Sequence, residues 1–182
     1  MVPRYRRAST FGTGAYAYYA TQSLKGEIMP TKTHMTGMQG VYLVAAALTK
    51  WGLIVSPTSR SAFGADLLVT DQKCKLAWSV QVKTNVGRPN NWLLSEHSFK
   101  TKSDSHVYVL VNLGQKNPRQ RLSPPDFYVV PSRILARRMR KTPPRGRTRS
   151  IFYFISRARV EEFKNKWGAF GKAVTVGNEK QL

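Results

Sequence analysis

The chain has 182 residues, 41% of them hydrophobic, which fits one domain with extensions and excludes a chain too polar to bury a core. With 30 Lys+Arg against 9 Asp+Glu the formal net charge is +21, which points to a polyanionic partner, nucleic acid ahead of an anionic lipid surface. A single cysteine, Cys74, excludes a disulfide framework and a cysteine metal site, and a reducing, cytoplasmic setting is the simplest expectation.

Residues 1–34 read as a basic leader. Arg4, Arg6 and Arg7 precede an alanine- and tyrosine-rich stretch from Gly12 to Ala20, with no acid before Glu27. The stretch lacks the continuous apolar run of a secretory signal or a membrane span. Met29 and Met35 stand just before the first patterned segment, so the expectation is a disordered leader or a start assigned too far upstream. A domain is expected over residues 35–170, with a tail over 171–182.

Val41, Val44, Ala45 and Leu48 recur at i, i+3, i+4 and i+7, the stripe of an amphipathic helix. Leu43, Ala46 and Ala47 fill much of the remainder, which predicts a helix buried against a sheet and stopped near Trp51 by Gly52. Ile54 and Val55 begin the next strand. Leu67, Leu68 and Val69 form a short apolar run, Asp71-Gln72-Lys73 a polar turn, and the chain then alternates from Leu76 to Lys83. Leu76, Trp78, Val80 and Val82 fall on one face, and Ala77, Ser79, Gln81 and Lys83 on the other. Two such runs joined by a tight turn predict a hairpin, which returns the Gln81 end of the second strand towards Asp66.

Val107 to Leu113 is almost wholly apolar, as for a strand covered on both faces. Pro131-Ser132 predicts a helix through Arg140 with Ser132 as N-cap, Ile134, Leu135 and Met139 forming its apolar side and Arg133, Arg137 and Arg140 facing elsewhere. Thr142 to Arg147 reads as a Pro/Gly loop, Ile151 to Ile155 as a strand, and Val160 to Trp167 as a closing helix. Strands mixed with helices predict a sheet covered by helices.

The hairpin gathers three polar groups at one end of that sheet. Mg²⁺ or Mn²⁺ takes oxygen ligands, and Asp66 supplies a carboxylate, Gln81 an amide oxygen and Val82 a backbone carbonyl. Lys83 beside them orients water or stabilises charge on a phosphate. The plainer alternative is that Asp66 caps a turn and Lys83 is a solvated strand-end lysine.

Gly64-Ala65-Asp66, a short strand, a turn and Gln81-Val82-Lys83 together resemble the PD-(D/E)XK nuclease superfamily, the restriction-endonuclease-like fold. Gly40 to Leu48 with Gly52, Trp92 to Glu96, Val107 to Leu113 and Phe127 to Ser132 are similar to small bacterial members, so the resemblance spans residues 37–170. It implies an α/β fold with a central mixed sheet flanked by helices, and a Mg²⁺- or Mn²⁺-dependent endonuclease acting on DNA ahead of RNA. Asp66, Gln81 and Lys83 carry over as catalytic residues. Relatives often place a glutamate on the first helix near the position of Val41. Residues 38–51 hold no acid, and Gln39 is the nearest polar substitute. Gln81 stands where glutamate or aspartate is usual, and Glu96 is a further auxiliary candidate. A nuclease fold degenerated into a basic binding module is the alternative, and an RNA-associated basic protein unrelated to nucleases is the third reading.

Positive charge rises towards the C-terminus. Between Arg133 and Arg149 stand Arg137, Arg138, Arg140, Lys141, Arg145 and Arg147 with no acid, a basic stretch that includes the loop over 141–150. Such a run neutralises phosphates and makes binding salt-sensitive, and its arginines suit bidentate phosphate contacts. His34, His97 and His106 show no metal spacing, and His97 beside Glu96 is an auxiliary acid–base candidate or a surface residue. Trp78, Phe127, Tyr128, Phe152, Tyr153 and Phe154 lie in strands where packing is the expected role, Trp51 and Trp92 are less settled, and stacking of Tyr or Trp on single-stranded bases is the minor alternative. Oligomeric state is open, a homodimer included.

Overall fold

A computed structural model describes residues 32–59, 64–87, 90–114, 124–142 and 151–173. The expectations for residues 1–31, for Arg145, Arg147 and Arg149, and for the tail from 174 onward lie outside them. Helix α1, Lys32–Lys50, follows its apolar stripe, with Val41, Val44 and Leu48 buried. Tyr42 is 60% exposed and Ala46 is exposed, so α1 buries one face against the sheet and turns the other to solvent. Its end is a Schellman motif: the Gly52 N–H donates to the Thr49 carbonyl at 2.9 Å and the Leu53 N–H to the Leu48 carbonyl at 3.2 Å.

Strands β1 (Ile54–Pro57), β2 (Leu67–Thr70) and β3 (Ala77–Asn85) follow, then β4 (Asn91–Leu94), helix α2 (Glu96–Lys100), β5 (His106–Asn112) and β6 (Asp126–Pro131). Helix α3 (Ser132–Arg138), β7 (Arg140–Lys141) and β8 (Tyr153–Ser156) complete the regular elements. The main sheet runs β1-β2-β3-β5-β6, and β4-β8-β7 form a smaller one. Among the described strands only β3 and β5 pair in parallel; their neighbours in the main sheet are antiparallel. A parallel pair cannot be joined by a hairpin, and β4 with α2 supplies the crossover. The chain is therefore α/β with a central mixed sheet flanked by helices.

Two apolar layers hold the sheet. Val80, Val82, Val107, Val109 and Val111 pack towards α1 with Trp167 and Phe170. Tyr108, Leu110, Tyr128 and Val130 pack on the other side with Trp92, Leu135 and Ile155. Every residue of β5 is buried, as a strand covered on both faces requires.

Local departures from the sequence pattern have identifiable causes. Leu76 is 49% exposed because it belongs to the β2–β3 turn, where the Asp71 carboxylate accepts the N–H groups of Lys75 and Leu76 at 2.7 and 2.8 Å. Ser132 is not the N-cap of α3; Pro131 is. The Ser132 hydroxyl instead donates to the Ser103 carbonyl at 2.7 Å and accepts the Ser103 N–H at 2.9 Å. Helix α3 stops at Arg138, since Arg140 and Lys141 are extended and pair with Phe154 and Tyr153. The last strand starts at Tyr153 rather than Ile151. The closing segment is not one α-helix but a series of short 3₁₀ turns, at Arg157–Arg159, at Glu161–Phe163 and within Trp167–Ala173, the last interrupted at Gly171 (φ 63). Buried Val160 and half-buried Phe163 are three residues apart, the 3₁₀ period, and Asn165 at φ 54 breaks the run.

Candidate active site

Asp66 is positioned by backbone on both sides. Its N–H donates to the Val80 carbonyl at 2.8 Å, and its carbonyl accepts the Thr58 N–H at 3.0 Å. The Thr58 hydroxyl fixes the preceding residue by donating to the Ala65 carbonyl at 2.6 Å. Gly64 sits at φ +88, a left-handed conformation that disfavours a side chain, and a Cβ there would stand 2.9 Å from His97 Nε2.

The carboxylate meets β3 directly. Asp66 Oδ2 accepts the Val82 N–H at 2.7 Å and the Gln81 amide N–H at 3.1 Å. The reason is register. The last β2–β3 partners are Leu67 and Val80, so Val82 lies beyond the end of β2 and its N–H finds no strand beside it. The Asp66 side chain takes the place of that missing backbone acceptor. A strand residue turns its N–H and C=O to the same edge, so the Val82 carbonyl opens towards Asp66 as well. Lys83, half-buried, lies two residues after Gln81 on the same face. Among the described residues no ion pair engages its ammonium.

The remaining candidates stand apart from this junction. Gln39 is exposed on α1, whereas its neighbour Gly40 is buried close against Thr84 of β3. Glu96 is exposed and paired with Lys100 at 2.8 Å, and that hydrogen bond holds its carboxyl below the usual range. Arg133 is paired with Asp104, and Arg138 with Glu162. Arg138 also donates to the Arg159 carbonyl at 2.8 Å and lies over the Phe163 ring. Arg137, Arg140 and Lys141 are exposed.

A second polar group on the same face escaped the sequence reading. Ser79 Oγ lies 2.7 Å from His106 Nδ1, and the His106 ring packs edge-on against Tyr108. Burial pushes the His106 imidazole down, reinforced by His97, and burial pushes the Tyr108 hydroxyl up. The alternation of β3 put Ser79 in line with Gln81 and Lys83. The parallel register that brings His106 to Ser79 and Tyr108 to Gln81 is not written in either strand alone.

Asp66 Oδ1 has no hydrogen-bond partner among the described residues, Gln81 offers its amide oxygen if the amide turns over, and the Val82 carbonyl faces the same edge. These are oxygen donors of the kind Mg²⁺ takes, with one carboxylate at the lower end of its requirement. Among the described residues no three His, Cys, Asp or Glu side chains gather as a metal cluster. The residues fit the ion if water and a substrate phosphate complete its shell.

No protein-family model and no curated protein matches the chain. Among solved structures it is similar to Hjc of Archaeoglobus fulgidus, a Holliday junction resolvase from an archaeal hyperthermophile. The TM-score is 0.42 and the identity 12%, over 69% of this chain and 88% of that one. At such values the likeness carries no function across. Among the described residues no helix is long and apolar enough to cross a membrane.

Proposed function

We propose that the chain cleaves phosphodiester bonds of nucleic acid, DNA ahead of RNA, as a PD-(D/E)XK-type nuclease with its domain over residues 35–170. The observation that supports this is the contact of Asp66 with both Gln81 and Val82 at the open end of the β2–β3 hairpin, with Lys83 on the same face. In this reading Asp66 and the Gln81 and Val82 oxygens would hold Mg²⁺ or Mn²⁺, which would supply Lewis-acid activation of water and charge stabilisation for the leaving oxygen. Lys83 binds the scissile phosphate and offsets the charge that grows on it. The basic surface carrying Arg137, Arg140 and Lys141 holds the flanking backbone. The substrate is met in the cytoplasm.

The test is cleavage of labelled linear, branched and single-stranded DNA and RNA with Mg²⁺ or Mn²⁺, comparing the wild type with Asp66→Asn and Lys83→Ala. Metal-dependent cleavage lost in both variants is expected. One observation favours a second reading, a binding module descended from such a site. Asp66 Oδ2 is already satisfied by two N–H donors without any cation. Salt-sensitive binding with no cleavage by any of the three proteins would select that reading.

A further inference from the structure

A cleft of about 300 Å³ lies between α2 and the β7–β8 pair, lined by Phe99, Met139, Arg140, Lys141 and Tyr153. That size is at the lower end of small-molecule clefts, roughly 300–1,000 Å³. Phe99 is 45% exposed, an apolar ring left open on a short polar helix. Its centroid is 6.3 Å from that of Tyr153, and the two planes are inclined at 39°, so the rings form an open wedge. Met139 is buried and provides an apolar base. Cations surround the wedge: Arg140 and Lys141 are exposed lining residues, and Lys102 Nζ lies over the Phe99 ring, 5.9 Å from its centroid. The nearby acid, Glu96, is already paired with Lys100.

An aromatic wedge inside a cationic rim matches a planar group that carries phosphate on either side. We propose that this cleft seats an unpaired nucleobase of a single-stranded segment, stacked on Phe99 and Tyr153, with Arg140, Lys141 and Lys102 on the adjoining phosphates. A base inside a duplex has both faces covered by its neighbours and offers none to the rings, whereas every unpaired base has a free face. The cleft and the candidate carboxylate are joined by one helix. On α2, His97 lies against Gly64, two residues before Asp66, and Phe99 walls the cleft. The inference rests on the nucleic-acid reading above but needs neither the metal nor cleavage. It names the form of the substrate: a strand with unpaired residues, such as a flap, a gap or a branch point.

The experiment is fluorescence anisotropy at fixed salt, without divalent metal, using a labelled single strand, the same strand carrying abasic sites, and a duplex of equal length. Wild type is compared with Phe99→Ala and Phe99→Trp. Phe99→Ala is expected to weaken single-strand binding by about 5- to 150-fold, equivalent to ~1–3 kcal/mol at 1.4 kcal/mol per tenfold, with duplex binding unchanged. Phe99→Trp is expected to retain it, and the abasic strand to bind wild type as weakly as the intact strand binds Phe99→Ala. Because the Phe99 ring is open to solvent, a melting curve matching wild type is expected for both variants. Equal losses on single strand and duplex, or no loss on either, would overturn the cleft assignment while leaving the nucleic-acid reading in place. Absence of wild-type binding to all three probes would overturn both.

Discussion

The Asp66 carboxylate accepts the Val82 N–H at 2.7 Å and so closes the end of the β2–β3 hairpin where the backbone ladder has run out. The same group is thus a structural acceptor and the candidate metal ligand. The two roles separate by substitution. Asp66→Asn keeps an amide oxygen for Val82 and is expected to melt close to wild type while losing metal-dependent cleavage. Asp66→Ala leaves that N–H unpartnered and is expected to cost about 1–3 kcal/mol in addition. Denaturant melts beside cleavage assays read both, and equal stability of the two variants would remove the structural role.

Gln81→Glu places a second carboxylate against the first, since the Gln81 amide nitrogen lies 3.1 Å from Asp66 Oδ2. Two carboxylates at that distance repel unless one binds a proton or a cation lies between them. The variant is expected to melt below wild type in chelator and to gain more than wild type from added Mn²⁺. A melting temperature insensitive to Mn²⁺ would argue against a cation at this edge.

Helix α1 crosses β3 at Gly40. A Cβ at that position would fall 1.8 Å from Thr84 Oγ1, next to Lys83 in sequence. Gly40→Ala is expected to destabilise by about 1–3 kcal/mol, as overpacking at a tight contact does. Thr84→Ala in the same chain is expected to recover part of that loss. Chemical denaturation of the two single variants and the double variant measures the coupling.

His106 gives the fold a pH dependence. Its imidazole is 5% exposed and burial lowers its pKa below the ordinary 6.5, so the unfolded chain binds the proton more readily than the folded one. Stability from this residue is therefore full above about pH 6.5 and declines as pH falls through the window beneath it. His106→Gln is expected to flatten the stability profile between that pH and the lowered folded value. Melts across this range, wild type against variant, check the slope.

Nucleic-acid affinity is expected to fall steeply with salt, and the basic residues are not equivalent in it. Arg133 and Arg138 are engaged by Asp104 and Glu162, whereas no ion pair among the described residues holds Arg137 or Arg140. Replacing Arg137 or Arg140 with Gln should lower the slope of log affinity against log salt by about one each. Arg138→Gln should reduce stability more than slope, through loss of its contacts to Arg159 and Phe163. Titrations at several salt concentrations separate the two classes.

The sequence by itself determined the repeating parts. The spacing of Val41, Val44 and Leu48 specified the buried stripe of α1, and alternation placed Trp78, Val80 and Val82 opposite Ser79, Gln81 and Lys83. These are local periodicities, set by backbone geometry within one element. The hairpin that joins Asp66 to Gln81 was equally legible, because its two strands are neighbours in sequence. Tertiary structure decided what depends on distant pairing. His106 reaches Ser79 only through the parallel β3–β5 register, and Arg140 leaves the predicted helix because β8 offers it and Lys141 strand partners in Phe154 and Tyr153. The same pairing draws Tyr153 beside Phe99 and converts two strand and helix residues into one wall of a cleft. A one-residue slip in either pairing would send these side chains to the opposite face, and that choice is made by packing across the sheet, not by the residues of either segment alone.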